Sequence, residues 1–121
     1  MISNKIYTLV RRLFQMTQEE KLEWKETARE GVYQLVVDDY VIRVAEVPGE
    51  NMKDVPSYVL QVCNAKGTVL EQVNAVDIND RMHDSTEFMQ DLYLRVRRVA
   101  LGTETALDHI LERLEEDGPK E

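Results

Sequence analysis

The residues with the most obvious chemical potential are His83 and the carboxylates around it, Asp77, Asp80 and Asp84. A bound cation would need several such groups to converge at the spacings that metal sites use. Read as a calcium loop from Asp77, the segment puts Met82 where the loop turns on glycine and Phe88 where a bidentate glutamate belongs. The pattern predicts a polar loop leading into a helix, with no metal. Cys63 lies in an apolar run without a neighbouring base or cation to lower its pKa, which predicts a buried, inert thiol. His109 falls among Leu107, Ile110 and Leu111, at the solvent border of a helix. Ser3, Ser57 and Ser85 occur in no Gly-x-Ser-x-Gly setting, and the 5 glycines are scattered through turns rather than gathered in a phosphate loop. Carboxylate pairs are plentiful, as in any acidic chain. No nucleophile, acid–base pair or cofactor cradle emerges, so the sequence leans away from an enzyme and implies no cofactor.

Composition narrows the remaining classes. At 121 residues, with 43% hydrophobic and 31% charged, the chain has the size and make-up of one soluble domain, residues 1–121, with a single core. No apolar run approaches the ~20 residues of a membrane span. The first residues do not resemble a secretory leader, and Cys63 has no second cysteine to pair with. The expected location is the cytoplasm. The formal net charge of −8 repels phosphate backbones, so nucleic acid is not an expected partner. Lys5, Arg11 and Arg12 make the first 16 residues basic, but three cations attached to an acidic body do not hold a helix on a membrane.

Hydrophobic period supplies the elements. Ile6, Leu9, Val10, Leu13 and Phe14 share one face of an N-terminal helix over residues 1–16, with Ser3 as its cap. Thr17 to Glu20 has capping-box spacing, read here as a turn into a first strand that alternates through Leu22 and Trp24 to Ala28. Hairpin punctuation follows through residues 21–74. Strands are predicted at Val32 to Val37, Tyr40 to Val47, Tyr58 to Cys63 and Thr68 to Val73. Arg29-Glu30-Gly31, Asp38-Asp39 and Asn64-Ala65-Lys66-Gly67 serve as turns, and a polar loop runs through Asn51, Lys53, Asp54 and Pro56. Val76 to Asp84 reads as irregular. Residues 85–116 then form two helices separated by Gly102, with Asp84 or Ser85 capping the first and Thr103 the second. Phe88, Leu92, Val96 and Val99 are the expected inner stripe of the first helix, with Met89 and Tyr93 at its margin. Leu107, Ile110, Leu111 and Leu114 line the second helix, and residues 117–121 form a frayed tail. Trp24 and Phe88 are the expected aromatic anchors of the core.

Trp24, the tyrosine-bearing hairpins, Leu92-Tyr93 with Arg97-Arg98-Val99-Ala100-Leu101-Gly102, and then Ala106-Leu107, Ile110-Leu111 and Leu114 carry a resemblance. Over roughly residues 22–114 the chain resembles a group of small bacterial proteins. In that group a β-meander is followed by a helix with a Leu-Tyr…Arg-Arg…Ala pattern and a short amphipathic helix. Alanine often precedes the paired arginines there, whereas this chain has Val96. The resemblance implies the architecture and no activity.

The first C-terminal helix holds the best candidate site. Stepping ~100° per residue, its inner stripe is flanked by Arg95 and Arg97, while Leu94 and Leu101 fall on the opposite side beside Arg98. A helix that is apolar on two sides needs two neighbours. Either a terminal helix covers the second side, or Leu94, Arg98 and Leu101 form a contact with a protein partner or a second copy. The fold expected is α+β, an antiparallel β-meander of about five strands with an N-terminal helix and two C-terminal helices packed on one face. The function expected is a non-enzymatic protein-interaction module, such as an adaptor, chaperone-like factor or inhibitor. The alternative is a small ligand-binding protein or enzyme with a pocket between sheet and helices, lined by Trp24, Tyr33, Tyr40 and Tyr58.

Overall fold

The first helix, α1 (Asn4–Gln18), starts where Ser3 accepts a hydrogen bond from the Ile6 amide through its hydroxyl, at 3.2 Å. The computed structural model describes residues 3–49 and 56–117; Asn51, Lys53 and Asp54, and the tail beyond Asp117, lie outside the described residues. Val10 and Leu13 put the inner face of α1 into the core, with Ile6, Leu9 and Phe14 partly buried around them. The helix runs on beyond its expected end at residue 16. Glu20 takes a left-handed conformation (φ 59°), the Glu20 amide donates to the Thr17 carbonyl, and the Lys21 amide donates to the Met16 carbonyl. That is a Schellman closure with glutamate in the place glycine usually holds. Thr17 therefore closes a helix instead of opening a turn. The strand expected from Leu22 to Ala28 shrinks to β1 (Lys25–Glu26). Trp24 does not alternate into the sheet: it is buried, and its Nε1 donates to Thr17 Oγ1 at 3.0 Å.

The other strands are β2 (Val32–Val37), β3 (Tyr40–Val47), β4 (Ser57–Cys63) and β5 (Val69–Asn74). All pairs are antiparallel, in the order β1-β2-β3-β4-β5, so each strand lies beside its neighbour in sequence. The turns have a local cause. Gly31 and Gly67 hold φ of 79° and 84°, which costs glycine little. The Asn64 side-chain carbonyl oxygen accepts from the Lys66 and Thr68 amides, each at 3.0 Å. Register then sets the faces. Tyr33, Val44, Leu60 and Val73 stand opposite one another across four strands, and all are buried. One residue along each strand, Gln34, Arg43, Gln61 and Gln72 make the matching row on the other face. Apolar and polar rows alternate because successive side chains of a strand point to opposite sides.

The segment after β5 is more ordered than its polarity suggested. Asn74 and Asp77 form a reciprocal capping box, and one helical turn, α2 (Ala75–Ile78), drives Ile78 fully into the core. Helix α3 (Ser85–Ala100) packs on strands β1 to β4 with α1 against it, and buries Met89, Leu92, Tyr93 and Val96. This stripe is turned relative to the expected one, and Phe88 and Val99 are only partly buried. Two neighbours cause the turn. Met89 and Tyr93 join the sheet-facing core, while Phe88 stacks on Phe14 of α1 with ring centroids 4.8 Å apart. Ser85 is buried as the first helical residue, and Asp84 precedes it without a side-chain capping bond.

The last helix, α4 (Thr103–Asp117), begins after Gly102, whose φ is 66°. The α+β class, the five-strand antiparallel sheet, the N-terminal helix and the two C-terminal helices are as expected, and the short α2 is added between sheet and α3. The placement of α4 differs from that of α3, since its main neighbour is α3 and none of residues 103–115 is buried.

Candidate functional site

Leu94 and Leu101 lie on the side of α3 away from the sheet, 46% and 39% exposed, and Arg98 between them in sequence is exposed too. Neither terminal helix buries Leu94. Arg98 makes an ion pair through its Nη2 with Oε1 of Glu104, in the first turn of α4, and so ties the two helices at their junction. Of the three residues singled out from sequence, Arg98 has a structural partner and the two leucines do not lie in the core.

The larger apolar surface is on α4. Leu107, Ile110, Leu111 and Leu114 recur at helical spacing within an arc of ~100°. Their exposures are 42%, 54%, 57% and 56%. The comparable face of α1 supplies Val10 and Leu13, exposed 0% and 5%. Two helices with the same kind of pattern thus have opposite fates, one built into the core and one left in water. Residue types that usually fill interiors are here aligned and half exposed, which makes the stripe a candidate docking surface. The helical spacing of these residues is legible in the sequence. Period says which residues share a face, but not what that face touches.

The alternative pocket is occupied by the core. Trp24, Tyr33 and Tyr58 are buried in the main hydrophobic cluster, and Tyr40 is 50% exposed at the β2–β3 corner. A small cleft of about 290 Å³ opens where the end of α3 meets the start of α4, lined by Arg95, Arg98 and Glu104 among others. Its cations are engaged. Arg95 bonds Asp91 at 3.1 Å and lies over the Phe14 ring at 5.3 Å, and Arg98 pairs with Glu104. His83 and His109 are exposed, and Cys63 is a buried free thiol. Among the described residues, no cluster of three or more His, Cys, Asp or Glu could hold a metal ion.

Tyr33, Tyr58 and Tyr93 form the most polar part of the interior. Their rings lie 5.7 Å (Tyr33–Tyr93) and 5.1 Å (Tyr58–Tyr93) apart. Tyr93 donates its hydroxyl to the Gly31 carbonyl at 2.9 Å, and Tyr58 donates to Glu46 Oε2 at 3.1 Å. Burial, helped by Tyr33 and Glu46, pushes the Tyr93 pKa up to about 12. Burial and Glu46 raise that of Tyr58 as well. A phenol that resists ionisation in the fold favours the fold only while the unfolded chain would be neutral too. The stabilisation is complete below the free-tyrosine value of about 10 and is lost as pH rises through about 12. Denaturant midpoints should therefore fall over that interval, in step with tyrosinate absorbance. Tyr93→Phe should have a lower midpoint at neutral pH and a shallower alkaline fall; an unchanged alkaline fall would show that Tyr93 is not its source.

No family model, curated protein or solved structure matches the chain.

Proposed function

We propose that this chain is a non-enzymatic protein-interaction module, an adaptor, chaperone-like factor or inhibitor, working in the cytoplasm. Its main docking element is α4, with Leu94 and Arg98 of α3 and Leu101 just past its end as a second, smaller contact. One observation carries the reading: an apolar stripe of four large residues, each about half exposed, on a helix that the core does not use. A leucine-sized side chain gains ~1.5–3 kcal/mol on full burial. Finishing the burial of four half-exposed ones offers roughly 3–6 kcal/mol to a partner, before the entropic cost of association. The net charge of −8 disfavours nucleic acid, and no helix among the described residues is long and apolar enough to cross a membrane. A free thiol that is buried fits a reducing compartment.

The test is Leu111→Glu in the full chain. Helix content and the unfolding midpoint should stay within about 0.5 kcal/mol of wild type, as at other solvent-facing positions. Association, read as molar mass by light scattering and as co-purification with a protein partner, should disappear. A variant that unfolds, or a wild type that is monomeric and retains no partner, overturns the reading.

A further inference from the structure

We infer that the α4 stripe receives a basic amphipathic helix rather than a second copy of this chain. The inference rests on the interaction reading above and adds the chemistry of the partner. It comes from what borders the stripe. With Leu107 at the origin and ~100° per residue, Glu104, Asp108, Glu115 and Glu112 fall between ~60° and ~140°, next to Leu111. All four are exposed, and Glu104 is shared with Arg98. Ala106 and Arg113 border the other edge, beside Ile110. One edge of the docking face is thus a line of carboxylates.

That edge discriminates between occupants. In an antiparallel pair of copies, the acidic edge of one α4 would run along the acidic edge of the other, and like charges at helix-pair edges oppose association. A parallel pair would set the acidic edge against the opposite one, but Arg113 is the single lysine or arginine among the described residues of α4, against several carboxylates. The approach itself would bring together two chains of net charge −8. A helix with leucine or isoleucine at i, i+3, i+4 and i+7 and lysine or arginine on its borders meets both demands. Its apolar side covers Leu107, Ile110, Leu111 and Leu114, and its cations face Asp108, Glu112 and Glu115. The 15 residues of α4 match a partner segment of about four turns.

Two synthetic helical peptides with the same length and apolar stripe, one bordered by lysine and arginine and one by glutamate, test this against the full chain. The basic peptide should bind at least about tenfold more tightly than the acidic one, and more weakly as salt rises. Leu111→Glu should reduce its binding by about tenfold or more, which bulk attraction between opposite charges would not do. The double variant Asp108→Lys, Glu115→Lys, altered only at exposed positions, should reverse the preference between the peptides. Equal binding of the two peptides, or basic-peptide binding that survives Leu111→Glu unchanged, overturns the inference. A wild type that is a dimer by light scattering, made monomeric by Leu111→Glu, also overturns it but leaves the interaction reading standing. A monomer that binds neither peptide and retains no partner removes both.

Discussion

Trp24→Ala is expected to leave the protein unfolded or barely folded at room temperature. The indole is 2% exposed, and truncating a buried tryptophan costs ~3–5 kcal/mol. The total stability of a domain this size is about 5–15 kcal/mol. The local setting pushes the cost toward the upper end. Trp24 Nε1 donates to Thr17 Oγ1, and Thr17 is itself 2% exposed, so truncation leaves a buried hydroxyl short of a donor. The strand that follows, β1, is paired with β2 over only two residues, and the indole just before it ties this edge of the sheet to Thr17 of α1. Urea unfolding followed by circular dichroism measures the effect. Trp24→Phe and Thr17→Val separate packing from hydrogen bonding, and their double-mutant coupling should be about 1 kcal/mol. A Trp24→Ala protein that unfolds cooperatively within about 1 kcal/mol of wild type would place the indole outside the core and restore it as a binding residue.

The parts of the fold legible in sequence are those set by neighbours in sequence. Strands β2 to β5 fall within a residue of their expected limits, because alternation and turn-forming residues such as Gly31 and Gly67 act over a few positions. The structure departs from the sequence expectation where tertiary contacts decide. Glu20 supplies a left-handed helix stop without a glycine to announce it, so α1 runs through Thr17, which resembled a cap. Trp24 finds its partner seven residues back, on a helix, so a strand-like alternation gave way to a core anchor. On α3 the helical period is legible, but its phase is set by two neighbours at once, the sheet beneath Met89 and Tyr93 and Phe14 beside Phe88. The outward position of Leu94 and Leu101 followed from the same period. The dominance of α4 did not, because its stripe is indistinguishable in sequence from one that packs at home.

Leu92→Ala and Leu94→Glu should have opposite consequences although the residues are two positions apart on one helix. A separation of ~200° puts them on opposite sides of α3. Leu92 is 1% exposed within the main core cluster, so shortening it opens a cavity beneath the helix and should cost ~2–5 kcal/mol. Leu94 is 46% exposed, and a glutamate there keeps helix propensity while its carboxylate stays in water. Arg98 lies one turn on, at the favourable i+4 spacing for a glutamate, though it is already engaged with Glu104. The expected change in stability for Leu94→Glu is therefore within about 0.5 kcal/mol. Its effect belongs to association, where a charge placed in the smaller contact should weaken partner binding less than Leu111→Glu does in the main one. Denaturant midpoints for both variants, together with light scattering and partner retention for Leu94→Glu, make the comparison. A Leu94→Glu chain that unfolds would put Leu94 inside the core and remove the α3 contact. One that folds and binds as wild type does would confine the docking surface to α4.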